Sequence, residues 1–315
     1  MREAYRLASR VWPAHTHRFS RHDFTLPQLF ACLVVREMLK LSYRKTEGLL
    51  RDSPNWLAEI GLNKAPDHNT LWRALGTLIK TQRVNRMLDL LAGLFAQQRL
   101  LKLLDKPLTI DSTCYEPRHR SRHYDRVCRK MHLPRDGAKY AEKRAVSPEQ
   151  VNRSRSAKVR QMPKLALAVA SACHLILAAR THIGNGSDQG DFAPLLRHCA
   201  NRARLKDAVA DAGYDSERNH CLARRMLVRS VIPPRIGRLT SKPAAGRFRR
   251  LMQQRFARHA DQRVYGQRAQ SETVNSMMKR NFGDALRSIR PARRKQEMQL
   301  RSLTHNLLLW CAVKP

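Results

Sequence analysis

Two short apolar runs, separated by three residues, limit the fold of this chain more than any other feature. They cover residues 165–170 and 174–180, and the intervening residues 171–173 are typical of a hairpin-like turn. A shorter β-prone run, PLTIDSTCYE, precedes them and is expected to form a strand that ends at Asp111. Together the three runs predict an antiparallel meander.

After the meander, helical and strand-like segments alternate. Helices are predicted at 191–202 and 217–226, short strands at 207–211 and 227–232, and a longer helix at 264–282. Strands that alternate with helices of this length are typical of α/β folds. We therefore predict an α/β domain with a mixed sheet flanked by helices at residues 105–315.

The first third of the chain shows helical patterns and no strand pattern. Helices are predicted from Leu26, from near Ser42, and from Asp67, which is a suitable N-cap for one long amphipathic stretch. Residues 1–24 are expected to be a loose start. Residues 1–104 are thus predicted to form an all-helical N-terminal domain, either a helix-turn-helix that binds DNA or a plain bundle used for dimerisation.

A large positive charge indicates a polyanionic partner. The 315 residues include 61 Lys or Arg against 25 Asp or Glu, which gives a formal net charge of +36 and a pI near 11.2. Such a balance favours nucleic acid, and 42% hydrophobic residues argue against a disordered basic chain. Residues 116–164 hold fifteen Lys or Arg against five Asp or Glu, and we expect this basic insertion to be partly flexible without DNA.

The predicted helix at 264–282 separates polar from apolar residues. At about 100° per residue, four polar side chains share an arc of roughly 60°: Tyr265, Arg268, Glu272 and Lys279. Met278 points elsewhere. One carboxylate flanked by two cations and a phenol suits a phosphodiester, although an ordinary solvated charged face is the alternative.

The spacing Y-x2-R-x3-E-x6-K of these four residues resembles the signature of a large group of bacterial insertion-sequence DDE transposases. Three further stretches are similar to motifs of that family: TIDST at 109–113 to its first aspartate motif, ADAGYDSE at 210–217 to its second, and LTHNLLLW at 303–310 to its C-terminal helix. The resemblance extends from about residue 108 to the C-terminus. It implies a ribonuclease-H-like core that cleaves DNA at the ends of an element and joins them to a target.

The same resemblance implies a catalytic triad of Asp111, Asp211 and Glu272. Mg²⁺ prefers oxygen ligands and is usually held by one or two carboxylates plus a substrate phosphate, so these residues are predicted to hold Mg²⁺, which Mn²⁺ can replace. Asp111 could instead be a turn residue. Asp215 is a rival for Asp211, but Asp211 directly follows the apolar run, and Gly213 is expected to permit the sharp turn between them.

The cations of the stripe are predicted to bind DNA. Arg268 and Lys279 are expected to contact backbone phosphates near the cleaved bond. Tyr265 is expected to stack on terminal nucleotides or to donate a hydrogen bond to them, with a half-buried core ring as the alternative. The expected partner is double-stranded DNA, meaning the terminal inverted repeats and the target, bound by a homodimer.

Cysteine usage and hydropathy bear on location. Seven cysteines without a C-x-x-C pair favour reduced thiols, and no apolar run reaches membrane-spanning length. We therefore predict a cytoplasmic, nucleoid-associated bacterial protein that makes no contact with a membrane. Two other functions stay open: a transposase-derived DNA-binding protein without catalysis, and a hydrolytic nuclease on the same fold.

Overall fold

The computed structural model describes residues 1–19, 22–117, 162–184, 186–235 and 245–314. The basic insertion predicted at 116–164 lies almost entirely outside these ranges. Its expected flexibility without DNA therefore stays a prediction.

The described residues ahead of 105 form helices and their connections. The helices are α1 (Arg2–Val11), α2 (Leu26–Met38), α3 (Tyr43–Arg51), α4 (Pro54–Ala58), α5 (His68–Leu78) and α6 (Thr81–Gln97). The predicted starts of α2 and α3 are confirmed, and Ser42 caps α3. The predicted N-cap of α5 is confirmed as well, because the Asp67 carboxylate accepts hydrogen bonds from the backbone N–H groups of Asn69 and Thr70.

Two expectations for this region are wrong. Residues 1–24 were expected to be loose, yet α1 forms because it buries Leu7 and Ala8 against α2. Trp12, at the end of α1, packs edge-on against Phe30 with ring centroids 4.7 Å apart. The long amphipathic stretch after Asp67 is two helices, α5 and α6, separated at residues 79–80.

Seven strands lie in the described residues, and five of them form one sheet. The strands are β1 (Leu108–Cys114), β2 (Glu116–Pro117), β3 (Pro163–Ala170), β4 (Leu175–Ile183), β5 (Asp207–Ala210), β6 (Arg229–Val231) and β7 (Ala285–Leu286). The sheet order is β4-β3-β1-β5-β6. β4, β3 and β1 are antiparallel, which confirms the predicted meander, whereas β1, β5 and β6 are parallel.

β1 does not end at Asp111 as predicted. It continues to Cys114, because the residues after Asp111 remain paired with β3, as far as Cys114 with Lys164. Asp111 is therefore held within an antiparallel pair on one side, while on the other side the ladder with β5 stops at Ile110. Pairing with β3 thus fixes the backbone of Asp111, and the ladder with β5 does not extend to it on the other side.

Helices cover both faces of the sheet. After the meander they are α7 (Gln189–Ala200), α8 (Glu217–Arg225), α9 (Arg247–Ala257), α10 (Gln262–Tyr265), α11 (Ala269–Phe282) and α12 (Pro291–Val313). Alternate residues of a strand point to opposite faces. Accordingly, Ala166 and Ala168 of β3 face one core, whereas Leu165 and Leu167 face a second core with Val274 and Met278 of α11. This mixed sheet with helices on both faces confirms the α/β part of the predicted fold class.

The first core is continuous across residue 104. It contains Leu7 of α1, Leu88 of α6, Ile110 of β1 and Trp310 of α12. The boundary predicted between 1–104 and 105–315 stays a prediction. No helix among the described residues is both long and apolar enough to cross a bilayer.

A buried ion-pair network connects α2 to the C-terminal helix. The Glu37 carboxylate accepts hydrogen bonds from Arg287 (Nη2 to Oε2, 2.7 Å) and from Arg301 (Nε to Oε2, 3.4 Å). Arg301 also donates to Glu297 at 3.0 Å. Glu37, Glu297 and Arg301 are fully buried, so removal of one partner leaves an uncompensated charge in the interior.

Candidate active site

Two of the predicted carboxylates lie side by side where the parallel ladder between β1 and β5 ends. The parallel ladder between β1 and β5 pairs Ile110 with Ala210. Asp111 directly follows Ile110, and Asp211 directly follows Ala210. Neighbouring strands are about 4.8 Å apart. The two aspartates therefore flank the same point, where the ladder ends.

The electrostatics of Asp111 show which charges surround it. Burial raises the pKa of its carboxyl to about 6, and the carboxylates of Asp211 and Glu272 act in the same direction. A backbone hydrogen bond from Ser112 and the nearby charge of Arg268 act in the opposite direction. Asp111 thus lies within range of both other members of the predicted triad.

Asp211 also begins a tight turn. Its carboxylate accepts a hydrogen bond from the backbone N–H of Gly213 at 2.9 Å, and residues Ala212–Tyr214 form a 3₁₀ turn. Gly213 was expected to supply conformational freedom, but its φ is not positive. Instead, a Cβ at this position would lie 3.0 Å from Oδ1 of Asp211 and 3.4 Å from Oδ2 of Asp188. Close approach of two carboxylates is the reason that a glycine fits here.

The predicted helix at 264–282 is confirmed from Ala269 onward. The prediction that it is one continuous helix is wrong. α10 ends at Tyr265, residues Gly266–Arg268 form a 3₁₀ turn, and α11 follows. A 3₁₀ turn holds about three residues rather than 3.6. The prediction that Tyr265 shares one 60° stripe with the other three polar residues therefore does not hold.

Arg268 nevertheless lies among the predicted site residues. Its Nη2 donates to Oε1 of Glu272 at 2.6 Å. Burial alone would lower the pKa of Arg268, but the charges of Glu272, Tyr265 and Asp111 raise it. Glu272 is the most exposed of the three carboxylates, with 54% of its side chain accessible.

Tyr265 is half-buried and has two kinds of neighbour. Its ring packs edge-on against Phe256 of α9, with centroids 5.2 Å apart. Burial raises the pKa of its hydroxyl, and Arg268, Asp211 and Glu272 are close enough to influence it. Both interpretations of this residue, a packed ring and a site residue, agree with its position.

Lys279 is set apart from the other predicted site residues. It follows Glu272 by seven residues, about 10 Å along a helix. Its Nζ lies 5.8 Å from the ring centroid of Tyr115, just beyond the end of β1. The structure thus brings together Asp111, Asp211, Glu272, Arg268 and Tyr265, and places Lys279 farther along α11.

The rival carboxylate Asp215 is engaged elsewhere. It is buried and accepts hydrogen bonds from Arg249 (Nη2, 2.7 Å), from the backbone N–H of Arg235 (2.9 Å) and from His220 (3.3 Å). Burial opposes its ionisation, but the His220 and Arg249 contacts outweigh it and lower the pKa of the carboxyl. Its oxygens are occupied by a structural ion pair, which supports the choice of Asp211.

A family model described as a transposase DDE domain matches residues 107–307, which is more than half of the chain. The chain belongs to the transposase DDE domain family. The matched range contains Asp111, Asp211 and Glu272, and the family is one of DNA-cleaving enzymes that generally use divalent metal ions.

Two polar residues of the DDE domain were missed by sequence reasoning. Asn275, on α11, donates a hydrogen bond from Nδ2 to Oδ2 of Asp111 at 3.0 Å. Asp188 accepts a hydrogen bond from Ser112 at 2.7 Å and pairs with the buried Lys164 at 2.5 Å. The position of Asn275, three residues after Glu272, could have indicated a shared region of the helix. Asp188 gave no such signal, because it reaches β1 through a connection after β4.

The oxygen donors of the candidate site in the DDE domain are of the chemical type that binds divalent cations. Carboxylate oxygens and an amide oxygen are the ligands that Mg²⁺ prefers, and within the described part of the chain the amide Oδ1 of Asn275 is buried without a hydrogen-bond partner. Among the described residues, however, no three His, Cys, Asp or Glu side chains stand close enough to hold a metal together. Glu272 is instead paired with Arg268.

Proposed function

We propose that this chain is a DNA transposase of the insertion-sequence group with the Y-x2-R-x3-E-x6-K signature. The observation that carries the proposal is the ladder that ends at Ile110 and Ala210 and so sets Asp111 beside Asp211, with α11 lying across β1. The proposed core is ribonuclease-H-like. Its products are cleaved element ends joined to target DNA.

The carboxylates Asp111, Asp211 and Glu272 are proposed to hold Mg²⁺, or Mn²⁺ in its place. Two such ions, when bound, activate the attacking water or 3′-hydroxyl and stabilise the leaving oxygen of an in-line displacement. The protein positions Asp111 within β1, Asp211 directly after β5 and Glu272 on α11. The backbone of Asp111 is paired with Leu167 of β3, and the Asp211 carboxylate accepts a hydrogen bond from the backbone N–H of Gly213. Glu272 can turn because its side chain is exposed and is paired with Arg268 in the adjoining 3₁₀ turn.

Arg268 is proposed to bind the phosphate next to the cleaved bond. With Glu272 turned away from it, the guanidinium would be able to donate two parallel hydrogen bonds to phosphate oxygens. Tyr265 lies beside it and is proposed to contact the terminal nucleotide. Lys279 is proposed to contact a phosphate farther along the backbone, in keeping with its place beyond β1.

Residues 1–104 are proposed to form the DNA-binding and dimerisation domain, and residues 105–315 the catalytic domain. α5 exposes Asn69, Trp72 and Arg73 on successive turns, which favours contact with DNA over a purely internal bundle. The homodimer, the terminal inverted repeats as the bound sites, and the nucleoid location belong to the same proposal. The charge of +36 supports it, since phosphates attract such a surface.

The test uses the DNA sequences that flank the gene, in which terminal inverted repeats are expected. Duplexes carrying them are incubated with the full-length protein, a supercoiled target and Mg²⁺, and both cleavage and joining are measured. Asp111→Asn, Asp211→Asn and Glu272→Gln should abolish both while binding persists. Asp52→Asn, an exposed aspartate outside the site, is the matched control. Cleavage without joining would favour the nuclease, and binding without cleavage would favour the non-catalytic protein.

A further inference from the structure

Asn275 has the contacts of a site residue rather than of a core residue. It lies on α11 one turn after Glu272, and only 8% of its surface is exposed. Its flanking residues Val274 and Met278 pack into the second core. Its own side chain points to Asp111, to which Nδ2 donates at 3.0 Å.

The other atom of the amide is unpaired. Oδ1 of Asn275 is buried and accepts no hydrogen bond from any residue that the structure describes. Most buried polar atoms have a partner, and an unpaired acceptor calls for a specific reason. A flipped amide would not remove the problem, because it would place an amide oxygen against the Asp111 carboxylate, where neither atom can donate.

A cation supplies the missing partner. An amide oxygen is a neutral ligand for hard divalent cations and adds no charge to a site that already holds several carboxylates. The hydrogen bond from Nδ2 meanwhile restricts the rotation of the Asp111 carboxylate. Groups that orient a metal-binding carboxylate in this way commonly change metal affinity when they are removed.

We propose that Asn275 is a further member of the cation site, which orients Asp111 through Nδ2 and offers Oδ1 as an additional oxygen donor. This inference rests on the proposed function, in which Asp111 holds a divalent cation. It adds a residue that lies outside the four-residue signature and outside the three carboxylates.

The experiment measures Mn²⁺ binding to the full-length protein without DNA, by electron paramagnetic resonance and calorimetry. Asn275→Ala removes both amide atoms and should weaken binding by about 10- to 100-fold, as for other groups that support metal ligands. Asn275→Asp keeps the size and an oxygen donor but loses Nδ2, so at neutral pH it should bind more tightly than Asn275→Ala. Thr273→Ala is the control, because its hydroxyl bonds only to the Ala269 carbonyl on the same helix.

The variants separate this inference from the function on which it rests. If Asn275→Ala and Asn275→Asp both bind Mn²⁺ like the wild type while Asp111→Asn binds weakly, the role of Asn275 is overturned and the cation site stands. If Asn275→Asp is as weak as Asn275→Ala, the oxygen-donor role is overturned. If Asp111→Asn binds as tightly as the wild type, the proposed function itself fails. Thermal unfolding of each variant shows that a loss of binding is not a loss of folding.

Discussion

The guanidinium of Arg268 donates a hydrogen bond of 2.6 Å to the carboxylate of Glu272. The proposed phosphate ligand and the proposed cation ligand therefore neutralise each other in the protein alone. Such an i,i+4 pair with an exposed carboxylate contributes only about 0.3–0.5 kcal/mol. The pair is weak enough for a cation and a phosphate to separate it, each taking the partner of opposite charge.

Replacement of Arg268 should therefore affect DNA much more than folding. Arg268→Ala is expected to weaken end binding or cleavage while the free energy of unfolding changes by about 0.5 kcal/mol or less. Arg268→Lys should restore little, since a lysine cannot form the bidentate contact. Cleavage assays and thermal unfolding check this. Lys279→Arg is the comparison and should retain most activity; equal tolerance at both positions would contradict a bidentate role for Arg268.

Asp211 and Asp215 should fail in different ways. Asp211→Ala should leave a stably folded protein that does not cleave. Asp215→Ala should lower the free energy of unfolding by about 3–5 kcal/mol, because it leaves Arg249 and His220 without their buried partner. Unfolding curves and cleavage rates separate the two effects. Normal cleavage by Asp211→Ala, with a stable and inactive Asp215→Ala, would identify Asp215 as the catalytic residue.

Met278 offers a test of the facing of α11. It is fully buried in the second core, so Met278→Ala should reduce the free energy of unfolding by about 2–5 kcal/mol. Met277, its neighbour, is only partly buried, and Met277→Ala should cost less. Chemical denaturation of the two variants measures the difference. Equal stabilities would mean that the helix is rotated, and Glu272 would lose its place beside Asp111.

The positive charge should make DNA binding strongly dependent on salt. Each phosphate that a Lys or Arg neutralises releases counterions, so log affinity should fall with log salt by nearly one unit of slope per contact. Anisotropy titrations between low and moderate salt measure this slope. A flat dependence would contradict electrostatic binding by this chain of +36 charge.

Most strands and helices after residue 105 were predicted from the sequence because each has a local pattern. The β3–β4 hairpin and the N-cap at Asp67 depend on residues that are close together in the chain. α1 was missed although Ala4, Leu7, Ala8 and Val11 recur at helical spacing, and the packing of this face on α2 stabilises the helix. β1 was predicted too short because its extension depends on pairing with β3, more than forty residues away.

The candidate site likewise contains residues that the sequence predicted and residues that it did not. Asp111, Asp211 and Glu272 could be chosen from motif spacing. Asn275 could not, since its role depends on a 3.0 Å contact with another element. Helical spacing also failed for Tyr265, because the 3₁₀ turn at Gly266–Arg268 changes the angle between it and α11.

The last prediction concerns pH, and follows from the buried carboxyl of Asp111. Burial raises its pKa from an ordinary value of 3.8 to about 6, and Asp211 and Glu272 add to the shift. The folded protein therefore binds this proton more tightly than the unfolded chain does, so stability is lost as pH rises from about 4 to about 6. Asp111→Asn has no such proton. Without divalent cations, the melting temperature of the wild type minus that of Asp111→Asn should fall across this window and then level off. Mg²⁺ binds the ionised carboxylate, so it should raise the wild-type melting temperature above pH 6 and have little effect on the variant. A difference that stays flat, or that rises with pH in metal-free buffer, would show that the Asp111 carboxyl is not desolvated beside two other carboxylates.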